Sequence, residues 1–382
     1  MSSPLSGTFS PSSHSSESES LQAIKPRNFA QLPSELMQHI FDYLLPFPIF
    51  PSFYKERQSL FRRLSLVNKQ FKPLAQYYLL HVVKLSTAGE KSLSKVDSLL
   101  RKLRKSEMGS ANKVRCLILE DLEPKHRLGL EGVKGLCEKL EEVSYRSKRE
   151  EMASLLSFHC LLPFIGSNIK RLHLKNVTIP DLSDSVSFDF PLLEQLSFDN
   201  VVLPPEPHFF YNLPSLRHFH SASASVVAYF LKALLPQLHS FTALLDEYDA
   251  LSKKIRQSTV PCLLRCSADG SWFGVAALQR NESDISHLRL EGNISYSDWF
   301  YDWVKALSNL RAPVNLRSLY VPVHYDSTLE GLENDKRQVL LELERVCQLK
   351  GIELIREDTG TDENDQSRLS QEFIRRVKAG RA

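Results

Sequence analysis

Among the twelve histidines in this 382-residue chain, His173, His218, His220, His239 and His287 fall in short apolar motifs near one another in the repeat pattern. Neutral imidazoles that converge about 2 Å from a metal can hold zinc. No cysteine or carboxylate stands at matching spacing, so these histidines read as polar residues of a sheet face, and no metal or other cofactor is expected. Cys262 and Cys266 lie four apart with no second pair to complete a zinc ribbon, and read as core thiols. Ser, His and Asp all occur, but a catalytic triad is a geometry, and their presence in a long chain proves nothing. There is no Gly-rich phosphate loop, no G-x-S-x-G elbow and no H-E-x-x-H pair, and fourteen glycines leave little room for phosphate-cradling turns. The expectation is a non-catalytic chain.

Charge and cysteine usage narrow the partners. Lys and Arg number 48 against 45 Asp and Glu, which gives no chain-wide electrostatic reason to bind nucleic acid or an anionic membrane. The basic runs at Lys102 to Lys105 and Arg146 to Arg149 carry no interleaved aromatics and read as solvated helix faces. Six cysteines scattered along a long chain read as reduced thiols of an intracellular protein. No stretch reaches the roughly 18 to 20 apolar residues of a membrane span. Met1 to Ser20 is Ser-rich with no basic or apolar run, unlike a signal peptide or a presequence. The expected location is cytoplasmic or nuclear, with no membrane and no nucleic-acid partner.

The elements that must position any site come next. Residues 1–27 alternate Ser with Pro, His and Glu and have too little apolar surface to offset ordering, so they read as a disordered tail. Ser3 and Ser10 each precede a proline. They stand either as phosphorylation sites or as part of a passive tail. Residues 357–382 read as a loose polar extension ending in a short basic helix from Leu369 to Lys378. Pro33 suits the first turn of a helix that carries Leu36, Ile40 and Leu44 on one stripe and stops at Pro46. A second helical run carries Leu60, Leu64 and Val67, and Asn68 can cap a third with Phe71, Leu74, Ala75 and Tyr78. About 50 residues in three short helices bury too little on themselves, so a partner surface is expected.

The run Leu32-Pro33-x-Glu35-Leu36, then Ile40-Phe41, Tyr43-Leu44, Leu66-Val67-Asn68-Lys69, Phe71 and Leu74-Ala75, resembles an F-box over residues 28–82. The resemblance implies docking to a Skp-family adaptor, and through it to a cullin and an SCF-type ubiquitin ligase. It implies that Leu32, Pro33, Leu36, Ile40, Leu44, Leu66 and Val67 form or support the adaptor-binding face. The connection from Leu45 to about Ser59 is longer than the family usually shows and holds Phe47, Phe50 and Phe53, while Phe71 stands where many members have tryptophan. That loop would either add an adaptor contact or cover the module's own core.

Beyond it a motif apolar-x-x-apolar-x-apolar recurs eleven times, from Leu80, Val83 and Leu85 to Leu349, Ile352 and Leu354. Its central positions Leu172, Leu196, Phe219, Phe241, Leu264 and Leu288 are spaced by 24, 23, 22, 23 and 24 residues. A period of this length marks stacked units that bury their apolar faces only against neighbours. The residues between core positions are polar in almost every unit, as an exposed alternate face requires. Residues 83–356 resemble the leucine-rich repeats that follow many F-boxes, with an asparagine register that is not constant and extra helices expected between Leu119 and Lys170. The fold class expected is α/β, a small helical module followed by an irregular leucine-rich-repeat solenoid with a parallel concave sheet. Ser225 to Leu235 and Trp299 to Leu307 have helical spacing and would lie on the convex side.

The resulting expectation is a substrate receptor of an SCF-type ligase that holds an unknown target protein near the ligase's conjugating enzyme. An F-box scaffold or localisation protein without ubiquitylation fits the same residues. For the target face the outward positions His173, His220, Arg265, Arg289 and Tyr320 are nominated as one column of the array. Either they bind the target or they keep the sheet soluble.

Overall fold

The structure, a computed structural model, describes residues 33, 35–37, 39–40, 54–67, 69, 71–86, 114–121, 137, 139–147, 168–179, 190–203, 213–221, 237–244, 260–266, 285–290, 297–310, 315–323, 334–358 and 371–380. The expected tail at 1–27, the helix at 225–235 and the extra helices inside 119–170 lie outside them. The chain divides into two compact units, Met1–Leu44 and Leu45–Ala382. In the first, residues 35–37 and 39–40 are helical, and the Met37 amide donates to the Pro33 carbonyl at 3.1 Å, so the proline opens the helix as its missing N–H allows.

The second unit opens with α1 (Tyr54–Val67) and α2 (Phe71–Leu80). Helix α1 starts at Tyr54, so the connection expected to run to about Ser59 ends at Phe53. Fully buried Phe61 stacks on Tyr78 with ring centroids 5.5 Å apart, and the Arg57 guanidinium lies 5.2 Å from the Phe61 ring centre. This aromatic pair locks α1 to α2, and α2 leads directly into the first strand.

Among the described residues eleven strands then pair in parallel in strict chain order: β1 (Val82–Ser86), β2 (Cys116–Glu120), β3 (Glu142–Arg146), β4 (Arg171–Thr178), β5 (Gln195–Val202), β6 (His218–Ser221), β7 (Ser240–Leu244), β8 (Cys262–Cys266), β9 (His287–Leu290), β10 (Ser318–Val323) and β11 (Glu353–Asp358). Sequential parallel pairing is the arrangement of a solenoid, and the fold is α/β. Each of the eleven motifs lies on or beside one strand. Val83, Leu117, Val143, Leu172, Leu196, Phe219 and Phe241 are register partners and run through one continuous core. Two expectations of register are corrected. Cys262, not Leu264, pairs with Phe241, and Leu354, not Ile352, pairs with Leu319. Both slips are two residues, which preserves which face each side chain takes. Leu349, expected in the last motif's core, sits exposed in a helix instead.

On the core side, α3 (Ser297–Ser308) buries Trp303 and Leu307, which bears out helical spacing from Trp299 to Leu307. Helix α4 (Asn334–Lys350) adds Val339, Leu343, Val346 and Cys347 and packs on α3 and β11. It ends in a Schellman closure: Gly351, at φ 70°, donates to the Gln348 carbonyl, and the buried Ile352 amide donates to the Cys347 carbonyl. The segment expected as a loose extension is ordered at two places. Residues 357 and 358 finish β11, and α5 (Gln371–Lys378) buries Phe373 and Ile374.

Towards their ends β4 and β5 are held by polar side chains. Asn176 and Asn200 take the left-handed conformation at φ 53° and 51°. The Asn176 amide donates to the Ser147 carbonyl at 2.7 Å, and the Asn200 amide donates to the Asn176 side-chain oxygen at 3.0 Å. A second ladder runs through the residue ahead of each strand, where Arg115, Glu141, Lys170, Glu194 and Arg217 alternate in sign and each donates its amide to the previous unit's carbonyl. Arg115 pairs with Glu141 at 2.7 Å. Asn176→Ala removes two hydrogen bonds and strains a left-handed residue, so it should lose roughly 2 to 4 kcal/mol in urea unfolding. Asn176→Gly, free of the strain, should lose about 1 kcal/mol less. Equal losses would mean that the backbone conformation costs nothing there.

Candidate functional site

Because side chains alternate along a strand, the residues between the core positions share the opposite face. From β3 to β7 that face is polar: Glu142, Arg171, Gln195, His218 and Ser240 form one register column, and Ser144, His173, Ser197, His220 and Thr242 the next. The nominated residues were expected at an outward, solvent-facing surface. His173, His220, Arg265, Arg289 and Tyr320 are instead all buried, as is every member of both columns except half-buried Arg171.

Burial of polar groups requires partners, and the sheet register supplies them. Three histidines pair with a hydroxyl directly across on the following strand: His218 Nδ1 with Ser240 at 2.8 Å, His220 Nδ1 with Thr242, and His287 Nδ1 with Ser318 at 2.7 Å. The Arg265 guanidinium approaches His220 Nε2 at 3.2 Å. A guanidinium can only donate, so Nε2 carries the lone pair and Nδ1 the proton that goes to Thr242. His220 is thereby neutral, and burial, followed by the charge of Arg265, holds it well below the usual imidazole range.

Nearer β1 the face holds ion pairs. Buried Glu142 accepts from Arg171 Nε at 2.8 Å, with His173 Nε2 3.7 Å from its other oxygen. Burial pushes the Glu142 carboxyl up while Arg171 and then Arg57 pull it back. Lys175 pairs with Asp199 at 2.7 Å and Lys84 with Glu120 at 2.6 Å.

The face changes character at both ends. Val82, Cys116 and Ile118 form an apolar patch under Tyr54 of α1. Leu263, Tyr320 and Ile355 form another under Phe373 and Val377 of α5. The nominated single column is corrected here. His173 and His220 share a column, but the slip at β8 sets Thr242 opposite Leu263 and puts Arg265, Arg289 and Tyr320 in the column beside it. The structure brings His220 and Arg265 into contact, and Tyr320 meets Phe373 edge-on at 6.3 Å. The hydroxyl partners were missed, although a signal existed: each stands at the same motif position one unit after its histidine.

The adaptor nominees divide differently. Leu32 and Leu44 lie outside the described residues, and Pro33 is exposed. Leu36 and Ile40 of the first unit are 47% and 37% exposed, and Leu66 and Val67, adjoining at the end of α1, are 85% and 63% exposed. Among the described residues no three of His, Cys, Asp and Glu are arranged to hold a metal ion, and no helix is long and apolar enough to cross a membrane. Cys116, Cys137, Cys262 and Cys347 are buried. Burial pushes the Cys137 and Cys347 thiols up to about 12 and about 11, so they stay protonated and unreactive. Cys160 and the Cys266 side chain lie outside the described residues.

Fold and face together define an α/β protein with a solenoid-like parallel sheet and a buried polar face. The chain matches no protein-family model, and no curated protein matches it.

The histidines set the acid stability. Burial, then Lys378, His239 and Arg217, lowers His218 to about 3, and burial, then Arg317 and Arg376, lowers His287 to about 4. The unfolded chain takes up these protons near 6.5 while the folded chain does not, so stability falls as pH drops below 6.5. The loss continues until the folded values are reached, at about 1.4 kcal/mol per pH unit for each histidine. Urea midpoints should decline from pH 7 to pH 5, and His218→Gln with His287→Gln should flatten that decline. An equally steep decline in the double variant would place the acid sensitivity elsewhere.

Proposed function

We propose that the protein is a non-catalytic receptor subunit of an SCF-type ubiquitin ligase, with its F-box-like segment docking to a Skp-family adaptor and its leucine-rich-repeat-like array presenting a target protein. The observation that carries this reading is the exposure of Leu66 and Val67. Helix α1 buries Phe61 against α2 and leaves two adjoining aliphatic side chains at its end in water. These are positions that the F-box resemblance assigns to the adaptor, and Leu36 and Ile40 are exposed as well. Bulky aliphatic residues clustered at a helix end are the mark of a surface that another protein covers.

Catalysis then belongs to other subunits. This chain contributes proximity, since holding a target beside a conjugating enzyme raises the local concentration of its lysines. The array suits that task because a stack of parallel strands offers a rigid, extended platform.

The test is a pull-down with purified Skp-family adaptor. Wild type should be retained with its cullin, while Leu66→Glu with Val67→Glu should lose at least about tenfold in affinity, as expected when interface anchors are made charged. Because both residues are exposed, the variant should melt within a few degrees of wild type. Unchanged binding in that variant, or no binding by wild type, rules the reading out. Adaptor binding without cullin recruitment would point to a scaffold.

A further inference from the structure

From β8 onward the polar face admits apolar residues among Arg265, His287, Arg289 and Ser318. Over β3 to β7 its two columns hold only charged, amide, hydroxyl and imidazole side chains, whereas Leu263, Tyr320 and Ile355 gather at the other end. Helix α5 lies on this island. Phe373, fully buried, sits between the His287 ring at 5.3 Å and the Tyr320 ring at 6.3 Å. Val377, one turn on, packs on the same cluster. Arg376 pairs with Glu353 on β11, and Gly380, at φ 65°, closes the helix by donating to the Val377 carbonyl.

An eight-residue helix does not persist in water by itself, so α5 owes its order to this docking. Among its described residues, Phe373 and Val377 pack on the island. Its link to β11 is the twelve-residue polar sequence from Thr359 to Ser370. A short helix joined to the sheet by a link of this length gains from high local concentration, and that is the arrangement in which a second helix can compete.

We propose that Leu263, His287, Tyr320 and Ile355 form a helix-docking site that α5 fills in cis, and that the site's partner in trans is a short amphipathic helix of the same chemistry. Such a helix presents an aromatic residue, an aliphatic residue four positions later, and a basic residue able to reach Glu353. The site recognises shape and apolar fit at its centre and one charge at its rim. Calling the partner a target rests on the receptor reading. Occupancy of the site does not, since adaptor binding at Leu66 and Val67 and helix exchange at Leu263 are measured separately and either can fail alone.

The test uses the full chain and a fluorescent peptide with the sequence of residues 369–380. Phe373→Ala weakens the cis helix, so this variant should bind the peptide at least about tenfold more tightly than wild type, in keeping with the effective-concentration advantage of a tethered ligand. The peptide should also raise the variant's Tm, because it binds only the folded chain. Leu263→Glu in the Phe373→Ala background should abolish both effects, and a peptide of scrambled order should produce neither. Equal binding to wild type and variant, or binding to neither, overturns the proposal. A Phe373→Ala chain that fails to fold and is not rescued by the peptide overturns it as well, since α5 would then be an integral part of the core. The milder Val377→Ala, expected to fall between wild type and Phe373→Ala, guards the comparison.

Discussion

A strand of four to eight residues cannot bury its own side chains, and in this protein each strand does so only against the next. The chain-order pairing of eleven parallel strands follows from that need, and so does the continuous seam from Val83 through Leu172, Leu196 and Phe219 to Leu288 and Val321. Helices α3 and α4 complete the seam on one side with Trp303 and Leu343. The polar ladders at Asn176 and Asn200, and at Arg115 and Glu141, tie successive units at their rims, where backbone groups would otherwise lack partners.

The opposite face obeys the same constraint with different chemistry. It is buried, so its polar groups must find partners, and the parallel register offers each side chain a neighbour one strand along. Histidine opposite serine or threonine meets that demand three times, and glutamate opposite arginine once. Where the face turns apolar, a helix covers it: α1 through Tyr54 at β1 and β2, and α5 through Phe373 at β8 to β11. The patterning of the face and the placement of the two helices are thus one arrangement.

Two kinds of surface result. At the end of α1, Leu66 and Val67 are apolar and uncovered, which suits a partner of matching character. On the sheet the apolar island carries a helix of this same chain, and the histidines beside it are neutral because burial makes their charging costly. The buried thiols, held protonated, take no part in either.

Much of this was legible in the amino-acid order. Eleven motifs with polar residues between their core positions specify eleven strands and the face each side chain takes, because alternation is a property of the extended chain itself. The helical spacings around Leu64, Tyr78 and Trp303 specify α1, α2 and α3 for the same local reason. Register between strands is not local. The two-residue slips at β8 and β11 leave the alternation intact, so no pattern in the sequence distinguishes them, and the slip at β8 separates Arg265 and Tyr320 from the column of His220. Nor could the order of residues reveal that the polar face is buried or that Phe373 lies on Tyr320. Those contacts join segments tens of residues apart, and only the packed tertiary structure decides which surfaces remain in water.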